Sequence, residues 1–295
     1  MSIRADKSLD GVRSLLFAPG DDAHKLEGAL VSSADGVIAD LEDAVAPDKK
    51  DGARRTVRTV LTKHDSAAKR LVRINGLDTP WGREDLASLE DITLDAVVVP
   101  KASLDTMSDL STSGVPIVAL IETAMGLRQA FDIAQHPRVV ALMLGGADLG
   151  AELRWQPRPD GFELLHARST LVLDSAAAGI RPPFDVVHLS PRQIDDLVTE
   201  SQFARTIGFG GKACIHPCQT APVNRAFSPS ESELTYAREV VQAFDSALAA
   251  GSGTAVVRGQ LVDEPVARRA RSILAHPTPN GIQPAHEAAV TSALH

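Results

Sequence analysis

Two apolar stretches of this chain each run into a carboxylate. Val115–Gly126 reads V-P-I-V-A-L-I-E-T-A-M-G and ends on Glu122, and Val139–Gly150 reads V-V-A-L-M-L-G-G-A-D-L-G and ends on Asp148. Runs of β-branched and aliphatic residues are the signature of strands buried on both faces. Two acids at the ends of two such strands suit a hard divalent cation, which takes oxygen ligands. Other apolar runs end on chemistry-bearing residues too: Pro19-Gly20-Asp21, Asp40-Leu41-Glu42-Asp43, Arg73-Ile74-Asn75, Pro100-Lys101 and His216-Pro217. Packing alone does not call for so many charges at one rim. Each residue also has an ordinary use. Asp148 can cap the next helix, and Arg73 can serve as a structural ion-pair partner. Glu42 and Asp43 can buttress Lys101 or Lys212, His216 before a proline can be a packed histidine, and Lys25 can be a solvated helix lysine.

The elements that must position these groups follow from periodicity. Short apolar runs recur at Ser14–Ala18, Val37–Leu41, Leu71–Ile74, Ala96–Val99, Ile117–Ile121, Val140–Leu144, Val186–Leu189 and Ala213–Ile215. Helical patterns alternate with them. In 48–61 Ala53, Val57, Val60 and Leu61 share a face, and in 194–207 Ile194, Leu197, Val198 and Ser201 do. Alternating strands and helices imply parallel pairing with right-handed crossovers. Eight such units predict an α/β fold, a (β/α)8 TIM barrel with function at the C-terminal ends of its strands. No G-x-G-x-x-G follows the first run, and the Gly-Gly pairs at 145–146 and 210–211 are turn signals. The barrel is expected over 1–227 and a C-terminal helical extension or lid over 228–275. In the extension Leu234, Ala237, Val241, Phe244 and Leu248 share a face. Residues 276–295, rich in proline, are expected to form a flexible tail.

At 295 residues, 44% hydrophobic and 23% charged, the composition is that of a globular protein with a large core. A net charge of −8 without a basic stripe argues against nucleic acid. No apolar run approaches the ~20 residues that cross a bilayer, and the M-S-I-R-A-D-K start lacks a signal-peptide core. Cys214 and Cys218 are too few for a disulfide framework, so the expectation is reduced thiols in a cytoplasmic protein, without zinc.

In order, R-S-L-L-F-A-P-G, D-L-E-D-A-V, L-V-R-I-N, V-V-V-P-K, A-L-I-E-T-A, G-G-A-D-L-G, G-F-G-G-K-A-C-I-H-P and G-Q-L-V-D-E-P resemble the citrate lyase β-subunit-like (CitE-like) family of the HpcH/HpaI aldolase superfamily, which includes malyl-CoA and citramalyl-CoA lyases. The resemblance spans Arg13 to Ala270. It implies a homotrimeric barrel that binds Mg²⁺, with Mn²⁺ as an alternative, and acts on a CoA thioester of a small hydroxy acid. Carried over by motif, Glu122 and Asp148 match the metal ligands, and Arg73 matches the arginine on the substrate's oxygens. Glu42 and Asp43 match the acidic pair near the metal. Asp263 matches an acid delivered by the C-terminal segment of a neighbouring subunit. Lys101, His216 and Lys25 are further substrate-binding candidates, Lys25 for the CoA phosphates. The implied reaction is retro-Claisen cleavage of a malyl-, citramalyl- or citryl-CoA type thioester to acetyl-CoA and a 2-oxo acid. Thioester hydrolysis, an aldolase on free oxo acids and an accessory subunit of a citrate lyase-like complex are the alternatives. The chain departs from its relatives at Gly28, where a second basic residue is common, and at Ser190-Pro191-Arg192, where an acid is common.

Overall fold

The computed structural model describes residues 8–275; the tail expected over 276–295 lies outside them. The elements in chain order are β1 (Ser14–Pro19), α1 (Ala23–Leu30), β2 (Gly36–Asp40), α2 (Lys50–Lys63), β3 (Lys69–Arg73), α3 (Gly82–Ser88), β4 (Ala96–Val99) and α4 (Leu104–Ser108). Then come β5 (Ile117–Ile121), α5 (Ala124–Arg128), α6 (Ala130–Ala134), β6 (Val139–Leu144), α7 (Gly146–Leu153), α8 (Leu165–Ala178), β7 (Phe184–Asp185), α9 (Ile194–Ile207), β8 (Gly211–Cys214) and α10 (Pro217–Phe227). All eight strands pair in parallel, and β8 closes on β1 with Ser14 opposite Lys212 and Leu16 opposite Cys214. The molecule is an eight-stranded parallel barrel ringed by helices, as the alternating pattern predicts.

Side chains alternate across each strand, and this period places the polar residues. Leu15, Ile38, Leu71, Val98, Val118, Leu120, Met143, Phe184 and Ala213 fill the barrel interior. Leu16, Val37, Ala39, Val72, Val97, Ile117, Ala119, Leu142 and Leu144 face the helices and pack against Leu26, Val57, Leu61 and Ile133. Continuing the inward parity past the apolar layer brings Asp40 after Ile38, Arg73 after Leu71, Glu122 after Leu120 and Gly145 after Met143. The strands thus aim two acids, a guanidinium and a bare backbone at one end of the barrel.

Strand seven differs from expectation. Residues 186–189 are not paired as strand, and β7 is only the dipeptide Phe184–Asp185. Pro182 and Pro183 before it have no amide proton, so the ladder does not extend backwards. A buried ionic lock compensates. Asp185 accepts from Arg168 Nε (2.8 Å) and Nη2 (3.0 Å) and from Lys212 Nζ (2.8 Å), all three side chains being fully buried. Lys212 is therefore committed to Asp185, not to Glu42 or Asp43. It also explains why β8 starts earlier than the apolar run at 213–215: a paired lysine lies inside it.

The chain divides into two compact units after Ser228. The second holds α11 (Glu231–Ala249), the antiparallel pair β9 (Ala255–Val257) and β10 (Gln260–Val262), and α12 (Glu264–Leu274). Its core is Ala237, Val240, Phe244, Val257, Val262, Ala267 and Ala270. Val240 rather than Val241 is the fully buried valine of α11, and Leu248, expected on the buried face, is exposed. The extension is therefore helices plus a hairpin. Among the described residues no helix is long and apolar enough to cross a membrane.

Candidate active site

A cavity of about 440 Å³ opens at the C-terminal ends of the strands. Asp40, Asp43, Arg73, Glu122 and Asp148 line it, with apolar walls that include Phe17, Leu120, Val187 and Ile215. Arg73 is the hub. Its Nε and Nη2 donate to the two oxygens of Asp40 at 2.7 and 2.6 Å, a fork-to-carboxylate pairing. Nη1 lies 2.9 Å from Glu42 Oε2 and 3.4 Å from Asp43 Oδ2. The guanidinium also lies over the Phe17 ring, 5.0 Å from its centroid. Burial works against the charge of Arg73, but Asp40, Glu42 and Asp43 outweigh it and raise the pKa. Asp40, which sequence reasoning missed as the partner of Arg73, also organises its own loop by accepting from the amides of Glu42 (2.9 Å) and Ala44 (3.2 Å).

Lys50 was missed as well. It reaches back from the first turn of α2 and donates to the carbonyls of Leu41 and Glu42, both at 2.7 Å. Asn75 Nδ2 donates to the Leu41 carbonyl at 2.9 Å. Spacing could have flagged Asp40, which shares its side of the chain with Glu42, but nothing in the sequence points from Lys50 to the carbonyls it takes.

Glu122 is buried, and its Oε1 accepts the Lys101 amide at 2.8 Å. Burial pushes its pKa up to about 8, and the charges of Glu42 and Asp148 push the same way against the Lys101 amide and Arg73. Glu42 is raised to about 7 by burial, with Arg73 opposing and Asp43 and Asp40 reinforcing. Asp148 sits in the first turn of α7, three residues past the N-cap Gly145, rather than on the strand itself. Gly145 has no substitute: a Cβ there would lie 2.5 Å from Glu122 Cβ and 2.8 Å from Glu122 Oε2. Gly145→Ala is accordingly expected to cost about 1–3 kcal/mol of stability and to weaken divalent-cation binding, as read by thermal unfolding and titration calorimetry.

The donor set fits a hard cation. Two carboxylates face one cavity, both are oxygen donors, and burial holds Glu122 above the ordinary carboxylate range, with Glu42 and Asp148 adding to it. Among the described residues no group of three or more His, Cys, Asp or Glu could hold a metal by itself. Two carboxylates suffice for Mg²⁺, which keeps several waters and shares its shell with substrate oxygens.

The side chains of Lys101 and Lys25 do not line this cavity. Lys101 contributes its amide from a left-handed backbone (φ 45°), and its side chain is exposed. His216 caps α10, accepting the Cys218 amide at 3.2 Å, and does not line the cavity. Lys25 is exposed on α1, 3.2 Å from Asp22. Asp263 is the N-cap of α12, accepting the Val266 amide at 3.2 Å.

The site is an acid-rimmed end of a parallel (β/α)8 barrel, with an inward guanidinium and two carboxylates, Glu122 and Asp148, on one cavity, the end at which such barrels place their chemistry. The chain belongs to the HpcH/HpaI aldolase/citrate lyase family, whose model matches residues 13–217. It is 39% identical over 268 residues to a (3S)-malyl-CoA thioesterase of Cereibacter sphaeroides, covering 89% of this chain and 93% of that one. It is 32% identical over 290 residues to the citrate lyase subunit beta of Escherichia coli K12, covering 92% and 95%. Among solved structures it resembles protein CitE of Mycobacterium tuberculosis in complex with magnesium, acetoacetate and coenzyme A. The TM-score is 0.78 and the identity 35%, over 89% of this chain and 97% of that one. CitE with magnesium and pyruvate matches at a TM-score of 0.71 and 32% identity, over 92% and 100%.

Proposed function

We propose that this chain is a Mg²⁺-dependent carbon–carbon lyase that cleaves a 3-hydroxyacyl-CoA thioester to acetyl-CoA and a 2-oxo acid. The observation that carries the reading is the pair Glu122 and Asp148 on one cavity with Arg73. The likeness to CitE bound to magnesium, acetoacetate and coenzyme A supports it. Bound between the two carboxylates, Mg²⁺ would supply Lewis-acid polarisation of substrate oxygens and charge neutralisation. Arg73 holds a carboxylate or carbonyl oxygen of the oxo-acid portion and stabilises charge as the bond to the acyl methylene breaks. Its long 3.4 Å contact with Asp43 is the one that a substrate oxygen displaces most cheaply. Phe17, Leu120, Val187 and Ile215 keep water from the carbanion-like carbon. Asp263 is the proposed acid for that carbon, brought by the C-terminal segment of a neighbouring subunit in a homotrimer. Among the described residues its Oδ1 is spent on the Val266 amide, which leaves Oδ2 to carry the proton given to that carbon, while the proton leaving the substrate hydroxyl passes to Asp43 on the cavity wall. The acyl group proposed is of the malyl, citramalyl or citryl type.

Chelation tests the reading directly. Dialysis against EDTA is expected to abolish thioester cleavage and added Mg²⁺ to restore it; turnover indifferent to chelator rejects the proposal. One relative favours a second reading, hydrolysis of the thioester, since a (3S)-malyl-CoA thioesterase shares 39% identity. Glu42, poised near neutrality at about 7, or Asp43 on the cavity wall would then activate a water. Acetyl-CoA with a 2-oxo acid marks the lyase, and free CoA with the hydroxy acid marks the hydrolase.

A further inference from the structure

Two walls of the cavity come from segments that share no strand ladder. Val187 follows β7, which stops at Asp185, and Ile215 follows β8, which stops at Cys214. Beyond the last β7–β8 pair, Asp185 opposite Lys212, a buried side-chain amide joins them. Gln219 Oε1 accepts from the amides of Ile215 (2.8 Å) and His216 (3.2 Å), while Gln219 Nε2 donates to the carbonyl of His188 at 2.8 Å. Gln219 is fully buried. The Oε1 arm is an ordinary capping box at the start of α10, which a glutamate at this position makes as well. The Nε2 arm contributes nothing to that helix. It fastens the residue after Val187 to the turn after Ile215, on a segment where strand pairing has run out. The far side of the same segment is held by His188 Nδ1 against Glu200 Oε2 at 3.0 Å. Cys218 Sγ adds a second tie, donating to the Pro191 carbonyl at 3.2 Å.

We infer that Gln219 is a positioning residue: its Nε2–H sets the separation of the Val187 and Ile215 walls and thereby the fit of the acyl group. The kinetic part rests on the lyase reading above; the structural part does not. Gln219→Glu separates the two arms. The capping acceptor is kept, but an ionised carboxylate has no proton for the His188 carbonyl, whereas a protonated one does.

At about pH 9, above the value of about 8 to which burial lifts the Glu122 carboxyl, the Gln219→Glu variant is expected to show amide exchange over residues 187–192 about tenfold faster than wild type. KM for the thioester is expected to rise about tenfold with kcat changed less than about threefold. Near pH 5.5, with the carboxyl protonated, both differences from wild type shrink, a pH profile that loss of a helix cap does not produce. Gln219→Met, which lacks both arms without adding charge, carries the same exchange prediction together with a lower Tm, and stands in should the buried carboxylate prevent folding. Unchanged exchange over 187–192 in the variants overturns the inference, as does a KM change of equal size at both pH values. A wild-type chain that cleaves no thioester sinks the lyase reading instead, and the exchange data then decide the role of Gln219 alone.

Discussion

Glu122→Gln is expected to abolish Mg²⁺ binding in titration calorimetry and to lower thioester cleavage by about a thousandfold or more. The amide keeps the size of the side chain and can still accept the Lys101 amide, so a folded protein is expected. What it loses is the only buried acid among the proposed ligands. Without metal, the same substitution is expected to stabilise the protein at neutral and alkaline pH. The folded-state pKa of Glu122 is raised to about 8 from an ordinary value near 4.5, chiefly by burial. The folded chain therefore holds a proton that the unfolded chain has released across that window. Stability of the metal-free wild type falls as pH rises from about 4.5 to about 8 and levels off above it. Glu42, raised to about 7, contributes in the same direction, so Glu122→Gln removes part of the slope rather than all of it. Saturating Mg²⁺ should flatten the wild-type profile by binding the ionised form. Thermal unfolding from about pH 5 to 9, with and without Mg²⁺, reads all of this. Retained Mg²⁺ affinity in Glu122→Gln would falsify the assignment of this carboxylate as a ligand.

Substitution of Arg73 separates structure from chemistry. Arg73→Met strips Asp40 and Glu42 of their counter-charge in a buried setting, and a loss of about 3–5 kcal/mol of stability is expected in denaturant unfolding. Arg73→Lys retains the charge but not the fork. One ammonium cannot satisfy both oxygens of Asp40 and still face Glu42 and a substrate, so the expected result is a smaller loss of stability with kcat/KM down about a hundredfold. Should Arg73→Lys fold and turn over within about twofold of wild type, the guanidinium does not touch the reacting oxygens and its role is confined to the Asp40–Glu42 pairing.

Much of this site was legible from local pattern, because a strand's period of two carries its inward face past the last apolar residue. Leu120 points in, so Glu122 does; Leu71 points in, so Arg73 does. The same rule gives Gly145 its place after Met143, although only the packed barrel shows that Glu122 fills the space a side chain there would take. The seventh strand was misplaced because V-V-H-L reads as an apolar run, whereas the pairing stops at Asp185, where the prolines before it and the ion pairs around it dominate.

By itself, then, the sequence determined which faces are apolar, how many strand–helix units there are, and that Asp40, Arg73 and Glu122 stand at strand ends. These are local properties, set by side-chain chemistry a few residues apart. Only the tertiary structure decided who meets whom: Arg73 with Asp40 from the neighbouring strand, Lys212 with Asp185, Lys50 with the carbonyls of Leu41 and Glu42, and Gln219 with His188. Those pairings depend on register and on closure of β8 against β1, which sum weak preferences over the whole chain. The raised pKa values of Glu122 and Glu42 share that origin, because a carboxylate acquires an unusual proton affinity only when folding removes its water.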